Sequence, residues 1–350
     1  MDKSRSHYYV VDCVKFVMCV FVVAMHCDVL QKTNPDIHYW VEKGLFQLAV
    51  PFFFVTSGFL LGSKMNNITD IKIIKSVFVK YIKRCFKLLI VFEPIAIILN
   101  IPIYYHDKKN IWHCFLLTIR DIVFYPKGAL WYILASIVGA WIIYLFFRFN
   151  RKKLMIPVAV LLYGFALICN SYFFIIENSA FGQVIKALIH YISSIRNGIF
   201  VGFPLLLVGF LVAERWNNSS LFKNKKRIMF CLLISFCLFL LELYLIKDFN
   251  KLDDSSLSII KPLVVTFLLM FCLCFSSNNV NKTCLHLRHL STGVYVLHRS
   301  ILLILTYGII LVFRAKADPV ILFVLTLSIS IGICLTSYRS KIPFINSILK

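Results

Sequence analysis

The sequence predicts an all-α polytopic membrane protein with about ten transmembrane helices in one bundle. Three observations predict it. The chain is 60% hydrophobic and only 15% charged over 350 residues, against roughly 45–50% and 25% in a soluble domain. Its apolar residues fall into repeated runs of about 17–23, the length an α-helix needs to cross a hydrocarbon core of about 30 Å. No linker rich in Gly, Pro or Ser and no internal repeat divides the chain. Residues 1–350 therefore read as a single integral-membrane domain with short termini.

Taken in order, the runs predict spans at 9–30, 45–62, 88–105, 129–147, 154–175, 199–213, 228–246, 262–276, 290–313 and 319–337. The first run is too long for a signal-peptide core and lacks a small-residue cleavage site, so it is expected to remain as a span with the N-terminus cytoplasmic. Ten crossings return the C-terminus to that side. The segment from Ile111 to Tyr125 is apolar but broken by His113, Arg120 and Asp121, which predicts an interfacial helix. Of the 38 Lys and Arg residues, 23 fall in predicted inner segments and 13 in outer ones, with Lys15 and Arg299 inside spans. That bias agrees with a multi-pass chain in the cell membrane whose termini are both cytoplasmic.

The net charge of +22 sits in short loops beside apolar runs. Contact with anionic lipid accounts for it better than nucleic acid, which is not an expected partner. Most of the twelve cysteines lie inside apolar runs, and no CxxC-type spacing occurs. They read as small buried residues, and no metal or tightly bound cofactor is expected.

Ionisable groups within spans are costly and mark candidate sites. The first span holds Asp12, Lys15 and His26. Lys15 and His26 are eleven residues apart, hence about 20° apart around a helix and about 16 Å along it. The two share a face with Cys19 and Val22, and Asp12 is expected to pair with Lys15. The second span contains Pro51, Ser57 and the pair Gly58 and Gly62, a spacing that more often marks helix packing than a site. The third carries Glu93 and Pro94, the ninth Tyr295, His298 and Arg299. Glu242 stands alone in the seventh, which suits a neutral or lipid-interface carboxyl better than a catalytic one. Lys72, Lys75, Lys80, Lys83, Arg84 and Lys87 form a basic approach to the third span. Buried histidines and a basic inner face suit acyl transfer from a phosphorylated donor, but equally suit a proton-coupled transporter. Pattern alone leaves both open.

Several ordered stretches resemble the membrane-bound acyltransferase family 3. They are Asp12-Cys-Val-Lys15 followed by His26, Ala49-Val-Pro51-Phe-Phe-Phe-Val-Thr-Ser57-Gly58-Phe, Lys83-Arg84-Cys-Phe-Lys87, Leu130-Trp131-Tyr132, Arg196-Asn197-Gly198, and Gly293-Val-Tyr295-Val-Leu-His298. The second-span stretch is similar to the subgroup containing the membrane domain of vancomycin-resistance serine racemases. The chain departs from the family pattern at Lys15 and Lys87, where Arg is common, at Gln47, and at Arg299, which stands where Pro is usual. The resemblance implies an O-acyltransferase that moves an acyl group, acetyl being the expected one, from cytosolic acyl-CoA to a hydroxyl of an envelope saccharide. It implies His26 as general base, Asp12 and Lys15 as its catalytic companions, and Lys83, Arg84 and Lys87 as the grip on CoA phosphates. Ser57, Trp131, Arg196 and His298 would line the acceptor path. The alternative is a transporter or sensor for a small amino acid such as serine. A polysaccharide polymerase or flippase shares the spans but needs no acyl-CoA site.

Overall fold

The computed structural model describes residues 8–65, 68–108, 110–127, 129–216, 223–249, 256–275, 282–315 and 317–339. The expected inner termini, 1–7 and 340–350, lie outside the described residues, as does the last residue of the span expected at 262–276. Thirteen α-helices and no strand occur among the described residues. Ten of the helices answer the ten expected spans: α1 (Tyr9–His26), α3 (Ala49–Ser63), α4 (Ile71–Lys108), α6 (Trp131–Arg148), α7 (Met155–Ile168), α9 (Phe203–Trp216), α10 (Lys225–Ile246), α11 (Lys261–Leu273), α12 (Lys282–Phe313) and α13 (Pro319–Arg339). The remaining three, α2 (Pro35–Gly44), α5 (Ile111–Phe124) and α8 (Ala180–Ile192), lie in connections.

Among the described residues eight helical segments are long and apolar enough to cross a bilayer. The chain is a multi-pass membrane protein. Two expected spans are shorter than their apolar runs. The run at 154–175 stops being helical after Ile168, because Asn170 turns inward and accepts hydrogen bonds from the Ser256 and Leu257 amides at 3.0 and 3.1 Å. Helix α11 has 13 residues and begins at a buried cap. Glu242 accepts from Tyr172 Oη (2.6 Å), Ser258 Oγ (2.5 Å) and the Ile259 and Ile260 amides (2.7 and 3.0 Å). These amides sit at the positive end of α11, where a carboxylate is stabilised. The expected lipid-interface role for Glu242 is thereby corrected: the residue is buried and its carboxyl joins α10 to the start of α11.

Two helices run past the membrane. The basic stretch expected as a loop before residue 88 is helical from Ile71 and continuous with the span. At 38 residues α4 is about 57 Å long, so its first turns project beyond the hydrocarbon on the side where α1 begins. Helix α12, with 32 residues, does the same.

The core is built around α3, which is buried almost all round, with Phe52, Phe54 and Phe59 inaccessible. Its partner is α9. A Cβ on Gly58 would sit 2.0 Å from Leu206 O, and one on Gly209 would sit 1.8 Å from Val55 O. These glycines allow backbone-to-backbone approach, so the GxxxG reading as a packing face holds. On the outside, Phe230, Leu233 and Leu241 of α10 and Val320, Ile321 and Val324 of α13 are exposed, a surface suited to lipid.

Candidate functional site

Two cavities open at opposite ends of α1. The first lies near its N-terminal half, between α1, α3, α4, α6 and α12, and has a volume of about 160 Å³. Lys15, Lys64 and Arg84 supply three cations to its lining, and no carboxylate lines it among the described residues. Its polar wall is Ser57 with Tyr132: the two hydroxyls are 2.9 Å apart, and Tyr132 donates to Phe53 O at 3.2 Å. With the tyrosine proton committed there, Ser57 donates to Tyr132.

The expected pair of Asp12 with Lys15 does not form. Buried Asp12 is instead held by Arg288 of α12, whose Nε lies 3.1 and 3.2 Å from the two carboxylate oxygens and whose Nη2 lies 2.8 Å from Oδ2. A planar guanidinium matches both carboxylate oxygens, which an ammonium cannot. The ammonium of Lys15 is left facing the cavity with no ion pair among the described residues. The basic triplet is divided as well. All three are exposed, but Arg84 lines the cavity whereas Lys83 and Lys87 do not. Ser57, expected on the acceptor path, belongs to this cavity rather than to the one holding His26.

The second cavity, about 350 Å³, lies where α1 ends and α3, α6, α9 and α11 begin. His26, Trp131 and Arg196 line it together, with Lys43, Gln47, Tyr125, Lys127 and Arg299. The connection after α8 places Arg196 beside a single π-turn, Gly198–Gly202, capped by Asn197 through the Ile199 and Phe200 amides at 3.0 and 3.2 Å. Such turns are frequent at functional sites. Arg196 donates to Ser256 Oγ (3.0 Å) and Tyr125 Oη (2.8 Å). It also stands 5.4 Å from the Trp131 ring centre, and Trp131 stacks on Tyr125 with centroids 5.4 Å apart. Gln47 accepts from the buried ammonium of Lys261 at 3.4 Å, and that ammonium also donates to Ser256 O at 2.5 Å.

Tyr295 lines both cavities. Its hydroxyl donates to Ala129 O at 2.7 Å, a carbonyl presented by a residue at φ 68°. Its ring meets Phe53 and Tyr132 edge-on at 5.5 and 5.6 Å. One turn further along α12, His298 is fully buried and lines neither cavity. It stacks behind His26 with centroids 5.4 Å apart. His298 Nδ1 lies 2.7 Å from Tyr295 O, so it carries the hydrogen, and Nε2 has no partner among the described residues. His298 therefore supports His26 rather than lining a path to it. No cluster of three or more potential metal ligands occurs among the described residues.

A protein family described as an acyltransferase domain matches residues 8–339. The chain belongs to this acyltransferase family. Relatives include an amino-acid racemase of Enterococcus faecalis, 31% identical over 241 residues, which are 67% of this chain and 32% of that protein. A serine/alanine racemase of Enterococcus gallinarum is 25% identical over 291 residues, 82% of this chain and 40% of that protein. The chain thus spans a third to two fifths of the curated relatives it matches. No solved structure matches it.

Sequence reasoning missed Arg288, Lys64, Lys43, Lys127 and Lys261. Only burial distinguishes Lys261 from the many loop cations, and only its long-range contact with Asp12 distinguishes Arg288. Tyr132 stood inside a family-like stretch but carried no charge to draw attention to it, and Tyr295 was noted in the ninth span without a role.

Proposed function

We propose that this family member is a membrane O-acyltransferase that moves an acyl group, acetyl being the expected one, from cytosolic acyl-CoA to a hydroxyl of an envelope saccharide. The observation that carries this reading is the pair of cavities at the two ends of α1, one presenting Lys15 and Arg84, the other His26, with Tyr295 common to both. In the cell membrane, with both termini cytoplasmic, the first cavity faces the donor and the second the acceptor.

The inner cavity is smaller than the roughly 300–1,000 Å³ of a whole small-molecule site, which suits the slender thioester-bearing arm of CoA. Arg84, Lys64 and Lys15 meet the donor's phosphates. In the outer cavity the acceptor hydroxyl gives its proton to neutral His26 while its oxygen attacks the thioester carbonyl. The carbon–oxygen bond forms, the carbon–sulfur bond breaks, and the CoA thiolate takes up the proton that His26 releases. Tyr295 and Phe53 form the partition that the arm must displace.

The test is reconstitution of purified protein with labelled acetyl-CoA and candidate acceptors, comparing wild type with His26→Ala. Transfer by the variant at the wild-type rate removes His26 as base. A second reading, passage or sensing of a small amino acid such as serine, draws on the names of the two racemase relatives. Serine flux in proteoliposomes that consume no acetyl-CoA would establish it instead.

A further inference from the structure

The outer cavity carries more positive charge than a neutral sugar requires. Among the described residues Lys43, Lys127, Arg196 and Arg299 line it against one carboxylate, that of Glu42. Glu42 is already shared between His38 at 2.7 Å and Lys43 at 3.7 Å, while Lys127 is satisfied by Asp121 at 3.3 Å. The two hydrogen bonds Arg196 makes to Ser256 and Tyr125 go to neutral hydroxyls. Arg299 sits in the middle of the α12 span and faces the cavity without a hydrogen bond or ion pair among the described residues. A guanidinium at that depth is costly unless an anion completes it.

We infer that the outer cavity binds an anionic acceptor, a saccharide bearing a carboxylate or phosphate near the hydroxyl to be acylated, with the anion on Arg299 and the hydroxyl at His26. This rests on the acyltransferase reading above. Arg299 follows His298, whose ring backs His26, so one turn of α12 places the cation beside the proposed base. Tyr125 and Trp131, stacked at 13° between ring planes with Arg196 against both, supply aromatic rings to the lining of the same cavity. The apolar face of a pyranose fits such a surface, while the fork of Arg299 fits the two oxygens of the acid. A neutral sugar would leave that cation desolvated and unpaired, which makes the charge a device for selecting the acceptor as well as for holding it.

The test has a binding arm and a transfer arm. Purified full-length protein in discs of neutral lipid is heated with D-glucuronate, D-glucose 6-phosphate or D-glucose. The two acids are expected to raise the unfolding temperature and glucose is not. Arg299→Gln should remove the shift and Arg299→Lys should keep part of it. Equal behaviour of acid and neutral sugar, or a shift unchanged in Arg299→Gln, overturns the inference. Stabilisation by phosphatidylglycerol through Arg299, with nothing added by glucuronate, would assign the anion to lipid and overturn it too. In the transfer arm, an acidic oligosaccharide and its carboxyl-reduced counterpart are compared as acceptors. Their kcat/KM ratio should favour the acid about tenfold or more and should fall in Arg299→Gln. Transfer without that preference sinks the anionic acceptor and leaves the acyltransferase standing. Glucuronate binding through Arg299 with no acyl transfer to any acceptor keeps the anion site and sinks the acyltransferase.

Discussion

The inner and outer cavities are both lined by an excess of cations, yet they hold them differently. In the inner cavity Lys15 and Arg84 line the space with no carboxylate among the described lining residues, and Asp12, three residues before Lys15, is occupied by Arg288. In the outer cavity Lys43 and Lys127 are tied to Glu42 and Asp121, Arg196 is braced by hydroxyls and rings, and Arg299 makes no hydrogen bond or ion pair among the described residues. The first arrangement suits a flexible polyanion that can be met from several directions. The second suits a ligand whose single anion has to arrive at one place while the rest of it lies on aromatic rings. One polar face of α1 and one tyrosine link the two, so the cavities can be challenged separately.

The largest effect is expected from His26. Removing a general base typically costs a hundredfold to ten-thousandfold in rate, as an order of magnitude. His26→Ala should therefore lower kcat by about that factor while leaving the KM for acyl-CoA nearly unchanged, because the residue lines only the outer cavity. Steady-state kinetics with varied donor concentration checks this. A large rise in donor KM would erase the division between the cavities.

Next comes the framework common to both. Gly209→Ala would drive a methyl group to within 1.8 Å of Val55 O, and no flexible side chain can yield there. Overpacking of this kind costs about 1–3 kcal/mol or more, and both cavities depend on α3 staying against α9. The unfolding temperature in detergent should drop clearly, with activity lost in proportion. Gly164→Ala is the control, since nothing lies within 4 Å of the added carbon; it should change little.

The fold was largely legible in the sequence because bilayer thickness imposes a length on every apolar run. It was less legible where a buried polar contact overrode that length. Asn170 ends α7 early and Glu242 starts α11 late, and neither looks special in a hydropathy pattern. The candidate site was half legible. The eleven-residue spacing of Lys15 and His26 follows from helix geometry alone, but their division between two cavities depends on where Tyr295 and Phe53 close the space. The partner of Asp12 lies 276 residues away, and no local rule selects Arg288 over a lysine three positions along.

That pair supplies the third test. Arg288→Ala leaves the buried carboxylate of Asp12 without its donors, which should cost about 1–3 kcal/mol in stability. The double variant Asp12→Ala with Arg288→Ala should lose less than the sum of the single changes, a coupling that thermal denaturation of the four proteins measures. Additive losses would mean that Lys15 takes over the carboxylate when Arg288 is gone. Asp12 would then belong to the inner cavity's charge balance rather than beneath it.

The smallest effect separates three neighbouring cations. Lys83, Arg84 and Lys87 lie within five residues on α4, and sequence alone makes them equivalent. All three are exposed, but Arg84 alone of them lines the inner cavity. A charge-assisted contact to a phosphate seated in the cavity is worth about 1.5–3 kcal/mol, and one on the open surface about 0–1. Arg84→Ala should therefore raise the KM for acyl-CoA about tenfold or more, and Lys83→Ala and Lys87→Ala by a factor of a few at most, with the acceptor KM unmoved in all three. Equal effects from the three would mean that the donor's phosphates lie along the outside of α4. The inner cavity would then hold only the arm that carries the thioester through to His26.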